Sequence, residues 1–229
     1  MAAQHGWADV VALLLKLEGI KVNSRDNEGK TALAHAIRKR HVKILEALVK
    51  VDPISTKYAT PDGLNYLMLA ATTNDAELIC SVLQLAQFNV NARDVYGRTA
   101  LAHAVKSRSY NAVKALLEVE GIDVHCVDED GRTLLMDATE VPFEGLAMIN
   151  RFLGLGLEAN INATDNEGKT ALLYALECCW PQPEIVSALL EVEGIDLSVR
   201  DVKGRTPLMV AIEKGNDKCT ELLREAGAS

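Results

Sequence analysis

Apolar positions recur along the chain in short bursts spaced three and four residues apart, and no run approaches the roughly 18 residues of a membrane span. The pairs Ile44-Leu45/Leu48-Val49, Leu78-Ile79/Val82-Leu83 and Ala112-Val113/Leu116-Leu117 each predict an amphipathic helix of two to three turns. Met148-Ile149/Phe152-Leu153, Ile185-Val186/Leu189-Leu190 and Leu222-Leu223 continue the series. A shorter helix precedes each of these, with Leu and Ala three residues apart, as in Leu33/Ala36 and Leu101/Ala104. The small alanine lets the next helix approach closely.

One phrase introduces each helix pair. Asp26-Asn27-Glu28-Gly29-Lys30-Thr31 returns from Asp94, Asp128, Asp165 and Asp201, and a weaker copy starts at Thr60. The phrase glycines stand at 29, 63, 97, 131, 168 and 204, with spacings of 34, 34, 34, 37 and 36 residues. D-x-x-G is turn chemistry: the aspartate bonds its own backbone and glycine accepts positive φ. The threonine that follows predicts a helix N-cap, and Pro207 after Thr206 sits where its missing N–H costs nothing. Each unit reads as turn, helix, turn, helix, loop. Repeats are expected at about 26–59, 60–93, 94–127, 128–164, 165–200 and 201–229, after a partial repeat 1–25, forming a single domain with one core from Val10 to Leu223. The Thr60 copy, lacking both the leading Asp and the capping Thr, is expected to have the least regular hairpin.

These phrases resemble the ankyrin repeat family, whose consensus runs D-x-x-G-x-T-P-L-H-x-A with a period near 33. The resemblance covers essentially the whole chain. It implies an all-α solenoid of helix-turn-helix units joined by β-turn or hairpin loops, with the turn tips and first helices lining a concave face. The proline of the consensus survives only as Pro207, and its histidine only as His35 and His103. In the family pattern that histidine bonds the neighbouring turn, so neither is expected to be catalytic. At the N-terminus, Ala2 to Leu15 matches the end of a first helix and a complete second one. The chain is therefore expected to begin inside a repeat, either as a fragment of a longer protein or with its first helix replaced by a partner or an atypical cap.

Composition narrows the function. Of 229 residues, 48% are hydrophobic and only 4% aromatic, so the expected core is aliphatic and alanine-rich. The net charge of −8 disfavours whole-surface attraction to nucleic acid or anionic membrane. Five cysteines without a CxxC argue against a disulfide framework or structural zinc, and fit buried thiols in a reducing, cytoplasmic setting. No nucleophile elbow, HExxH, phosphate loop or G-x-G-x-x-G occurs, so the expectation is a chain with no enzymatic activity, cofactor or metal.

Two surfaces are candidates for a partner. The residue after each phrase glycine is basic in five of six copies: Lys30, Arg98, Arg132, Lys169 and Arg205, with Leu64 the exception. Arg25, Arg93 and Arg200 precede the phrase aspartates, and Arg38, Lys39 and Lys106 end first helices on the same side. This basic ladder suits an acidic protein or peptide, although each cation can instead pair with its own turn aspartate. The second surface is the turn between the two helices, lengthened in adjacent units at Glu140–Gly145 and Cys178–Pro183. Each turn carries proline and one aromatic, Phe143 or Trp180, placed as interface anchors on one edge or, for Trp180, as a cover for its own helix pair. The leading function is thus a protein-interaction scaffold. Lengthened late turns also resemble those of oligoadenylate-dependent ribonucleases, which implies as a second reading a sensor for a phosphorylated oligonucleotide or other anion.

Overall fold

The structure, a computed structural model, describes residues 1–51, 58–85, 89–178 and 182–228. Every repeat starts with the predicted turn. In the first copy, Asp26 Oδ1 accepts from the amides of Glu28 and Lys30 at 2.9 Å each, and Gly29 N–H donates to the Asp26 carbonyl at 2.9 Å. The same two-amide grip recurs at Asp94, Asp128, Asp165 and Asp201. The first helix then begins on a threonine: Thr31, Thr99, Thr133, Thr170 and Thr206 each accept an amide of the first turn.

The Thr60 copy forms its turn and cap with other residues, and its side chain holds one turn amide where the aspartates hold two. Thr60 Oγ1 accepts the Leu64 amide at 3.0 Å, and Asn65 Oδ1 caps the helix through the Met68 amide at 2.9 Å. A hydroxyl and a carboxamide therefore replace the carboxylate and the capping threonine at the points that matter.

The chain forms two compact units. Residues 1–122 contain α1 (Ala2–His5), α2 (Ala8–Leu14), α3 (Ala32–Arg38), α4 (Val42–Val49), α5 (Tyr66–Ala71), α6 (Ala76–Gln84), α7 (Ala100–Lys106) and α8 (Tyr110–Leu117). First helices pack on first helices in the order α1, α3, α5, α7, while α2 packs on α4 and α6 on α8. The core is built from Leu33, Ile37, Ile44, Leu48, Leu67, Ile79, Leu101 and Leu116, all essentially inaccessible. Val10 is not part of it; Ala3 and Val11 begin the buried set.

Residues 123–229 contain α9 (Leu134–Thr139), α10 (Gly145–Leu153), a 3-10 turn at Leu157–Asn160, α11 (Ala171–Glu177), α12 (Pro183–Leu190), α13 (Pro207–Glu213) and α14 (Asp217–Glu225). Here α9, α11 and α13 form the inner row, and α10, α12 and α14 the outer one. Five residues separate α9 from α10 and α11 from α12, against three between α3 and α4, so the added length does fall in these turns. Gly227, with φ of +93°, ends α14 as the left-handed C′ residue, and the Ala228 amide reaches back to the Leu223 carbonyl at 2.9 Å. No strand occurs among the described residues; one isolated antiparallel bridge joins Val127 to Thr133.

Successive turns are stitched edge to edge within each unit. Val95 N–H donates to the Asp62 carbonyl at 3.2 Å, Asn166 to Asp130 at 2.9 Å, and Val202 to Glu167 at 3.0 Å. The corresponding residue in the second copy is Pro61, which has no N–H to give. A Cβ on Gly131 would lie 3.2 Å from Asp165 Cα, so glycine there meets both the positive φ and the close passage of the next turn.

Truncation of Leu101 or Leu135 to alanine is expected to cost ~2–5 kcal/mol in urea unfolding, since each fills a sealed first-helix position. Thr99→Ala, which removes a cap, is expected to cost ~1 kcal/mol.

Candidate functional site

In three repeats the first helix returns a side chain to its own turn. His35 Nε2 lies 2.7 Å from Asp26 Oδ2, and His103 Nε2 lies 2.8 Å from Asp94 Oδ2. In the fifth repeat Tyr174 holds that helical position and donates its hydroxyl to Asp165 Oδ2 at 2.5 Å. In the sixth, Val210 holds it, and Arg205 Nε supplies the bond to Asp201 Oδ2 at 2.8 Å. Both histidines thus serve the turn, as the sequence pattern implies. Hydrogen bonding to His35 holds the Asp26 carboxyl down at about 2. Burial pushes the His103 imidazole down, outweighing the pull of the Asp94 carboxylate.

The ladder cations divide by unit. In residues 123–229 they are drawn into one chain of charges. Arg132 Nε donates to Asp137 at 2.8 Å, its guanidinium also pairs with Glu140, and it lies 4.2 Å from the centre of the Tyr174 ring. Lys169 pairs with Glu167 at 2.8 Å and Glu177 at 3.0 Å, and its ammonium lies 5.4 Å from the Tyr174 ring centre. Arg205 joins Glu177, Asp201 at 2.6 Å and Glu213 at 2.9 Å. These acids push Arg132 and Lys169 above their ordinary ranges. Burial works to raise the Glu177 carboxyl, but Lys169 and Arg205 leave it below the usual range. Arg200 donates to the Gly204 carbonyl at 2.6 Å.

In residues 1–122, Lys30 pairs with Glu28, Arg93 donates to the Gly97 carbonyl at 3.0 Å, and Arg98 lies 5.0 Å from the Tyr96 ring centre. Arg38 and Lys106 end α3 and α7, and both are exposed. They stand seven residues after the capping threonine, where the other unit has Glu140, Glu177 and Glu213. That exchange of sign was visible in the sequence as a column seven positions past each cap. Residues 1–122 hold 15 basic and 12 acidic residues, and residues 123–229 hold 9 and 20.

At the lengthened turn, Phe143 is 98% exposed with φ of +62°, and the Glu144 amide donates to the Pro142 carbonyl at 2.8 Å across it. This closes a three-residue turn of the rare kind that holds its central residue at positive φ. A bulky aromatic in that conformation is uncommon. Trp180, with Cys179 and Pro181, lies outside the described residues.

Ankyrin repeats, as a family model spanning three copies, match residues 1–57, 51–128, 67–147 and 135–229. The chain belongs to the ankyrin-repeat family. Among its relatives, the ankyrin repeat protein YahD of Escherichia coli is 29% identical over 196 residues, covering 70% of this chain and 95% of that protein. The potassium channel AKT2/3 of Arabidopsis thaliana is 30% identical over 177 residues, covering 76% of this chain but 21% of the channel. The chain thus matches about a fifth of the length of that relative. The ankyrin repeat domain of Bcl-3 superposes with a TM-score of 0.76 at 27% identity, covering 97% of this chain and 96% of that one. A structure of the Bdellovibrio bacteriovorus endopeptidase Bd0816 with the immunity protein Bd3460 contains a chain of the same fold, with a TM-score of 0.75 at 24% identity over 88% of this chain and 99% of that one.

The ankyrin-repeat cysteines are less uniform than the sequence suggests. Cys126 and Cys219 are buried, and burial pushes the Cys219 thiol up; Cys178 is half-buried and Cys80 is exposed on α6. Among the described residues, no cluster of three His, Cys, Asp or Glu has metal-binding geometry, and no helix is long and apolar enough to cross a membrane.

The depressed imidazole predicts a pH effect. The unfolded chain takes up a proton on His103 near its ordinary 6.5, while the folded imidazole does so only at lower pH. The unfolded state therefore binds more protons in that window, and stability falls as pH drops below about 6.5. Urea midpoints at pH 7.5 and 5.5 should show a larger acid loss in the native chain than in His103→Asn. Equal losses would assign the effect elsewhere.

Proposed function

We propose that this ankyrin-repeat chain is a non-catalytic interaction module that engages an acidic protein or peptide through the turn-side face of its first helices, within a reducing intracellular compartment. The ankyrin fold is a common protein-interaction fold, which supports the class of function. The observation that carries the finer reading is the sign of the residue seven positions after each cap. In residues 1–122 that residue is Arg38 or Lys106, so the first helices that follow Lys30 and Arg98 in sequence each end on a further positive charge. Where it is Glu140, Glu177 or Glu213, the cations Arg132, Lys169 and Arg205 are neutralised by contact. An acidic partner is drawn first to residues 1–122, which hold 15 basic and 12 acidic residues against 9 and 20 in residues 123–229, with Arg132, Lys169, Arg200 and Arg205 shaping the remainder of the ladder.

The aromatic turn edge supplies the second element. Phe143 is offered almost whole to solvent on a turn stiffened by Pro142, so little conformational freedom is lost when a partner covers it. Trp180 is proposed to share this edge on the strength of its matching turn length and prolines. Ordered aromatics of this kind are what interface hot spots are made of.

A fluorescent polyglutamate peptide is a suitable probe. Reversal of Arg38, Arg98 and Lys106 to glutamate is expected to abolish binding and its salt dependence with little change in melting temperature. Reversal of Arg132 and Lys169 is expected to lower the melting temperature instead, by stranding Asp137, Glu140 and Glu177. Binding that survives the first triple variant would overturn the assignment. For a protein partner once isolated, Phe143→Ala should cost ~2 kcal/mol of affinity at unchanged stability.

A further inference from the structure

The turns between the paired helices carry charges that the ladder mostly leaves out. In residues 1–122, the stretches 38–43 and 106–114 span the turns from α3 to α4 and from α7 to α8. Together they hold seven of the 15 basic residues of that unit and no acid. Arg38, Lys39, Arg40 and Lys43 form the first group, and Lys106, Arg108 and Lys114 the second, all of them exposed. Between them in the repeat order lies the turn Thr72-Thr73-Asn74-Asp75, from α5 to α6. Its carboxylate is already engaged, since Asp75 accepts the Leu78 amide at 3.1 Å and pairs with Arg40 at 3.1 Å. Glu46 on α4 and Glu77 on α6 are the other acids on the adjoining second helices before α8, and both are exposed.

Folding alone does not ask for these cations. The start of a helix favours acids and disfavours bases. α6, α12 and α14 obey, with Glu77, Glu184 and Asp217 in their first turns. α4 and α8 have no acid there; Lys43 stands in the first turn of α4, and Arg40 and Arg108 lie two residues before α4 and α8. Both arginines also occupy left-handed backbone, at φ of +58°, nine residues after the capping threonine, where the last repeat has Gly215. Glycine accepts that conformation freely and a residue with a Cβ does not. Nor do first helices need a cation at their ends, since α11 and α13 finish on Glu177 and Glu213. Bases kept against the preferences of helix and backbone point to a role outside the fold.

We propose that this interhelical edge of residues 1–122 seats a short acidic peptide segment, continuing the contact past Arg38 and Lys106 at the ends of α3 and α7. The proposal rests on the acidic-partner function and names where that partner lies. α3, α5 and α7 pack in a row, so two steps of about 10 Å put the first and third turns roughly 20 Å apart. An extended peptide covers that distance in about six residues, at ~3.3 Å each. Charge also selects a short segment. The net −8 of the chain disfavours a long polyanion such as nucleic acid, or a broad anionic surface. A short segment feels chiefly the charges within a Debye length of about 8 Å, and along this edge those are mostly positive.

Fluorescence anisotropy of a labelled hexaglutamate peptide with the full chain tests the proposal. Lys39→Glu with Lys43→Glu and Arg108→Glu changes the edge and leaves Lys30, Arg93 and Arg98 in place. This variant is expected to bind at least about tenfold more weakly and with a flatter salt dependence. Its melting temperature should be equal or higher, because acids replace bases at the starts of α4 and α8. Lys30→Glu with Arg98→Glu should weaken binding less. A native chain that binds, beside an edge variant of unchanged affinity, would overturn the proposal and leave the acidic-partner function standing. A native chain that ignores the peptide at low salt would overturn that function itself. Tighter binding of a six-nucleotide single-stranded DNA than of the peptide would overturn the choice of a peptide.

Discussion

A carboxylate at the head of the repeat closes the chain on itself before the first helix can start. One of its oxygens holds two backbone amides, fixing the turn, and in four repeats the other holds a side chain from the helix or from the turn's own arginine. Turn and first helix thereby become one rigid piece. Rigid turns can be set edge to edge, and the amide-to-carbonyl bonds between them fix the spacing at which first helices pack on first helices. The surface available to a partner inherits its regularity from this contact.

The sequence states much of this directly. D-x-x-G followed by threonine names the turn, its glycine and the cap, and each does in space what its chemistry requires. The helix pairs and the two lengthened turns are equally legible, because i, i+3, i+4 spacing and inserted prolines leave little alternative. Other features were hidden in substitutions. Thr60 and Asn65 reproduce a turn and cap without the expected residues, since a lone hydroxyl or carboxamide oxygen suffices where one amide is bound. Tyr174 breaks the histidine pattern in the sequence, yet its hydroxyl replaces an imidazole on the turn carboxylate. Val10 reads as core from its place in the repeat, yet it is exposed while Val11 beside it is buried.

The basic column was legible as composition and not as electrostatics. Five cations after five glycines suggest one continuous ladder, but the residue seven positions after each cap decides what each cation does. An acid there turns a surface charge into a strut, as with Glu177 between Lys169 and Arg205. In residues 1–122 the same position holds a base, Arg38 or Lys106. The ankyrin framework keeps its packing while the residue in this column changes sign, and three of the 20 acids of residues 123–229 stand in it.

The dependence of the repeat on its turn carboxylate is tested most directly by a double-mutant cycle at Asp165 and Tyr174, read by urea unfolding. Asp165→Ala removes a charged acceptor from two amides and a hydroxyl, and the account predicts a loss of ~3 kcal/mol or more. Tyr174→Phe should cost ~1–2 kcal/mol alone and almost nothing once Asp165 is gone, because its partner has already left. A loss under about 0.5 kcal/mol for Asp165→Ala, in the range of an ordinary surface substitution, would contradict it, as would two effects that simply add.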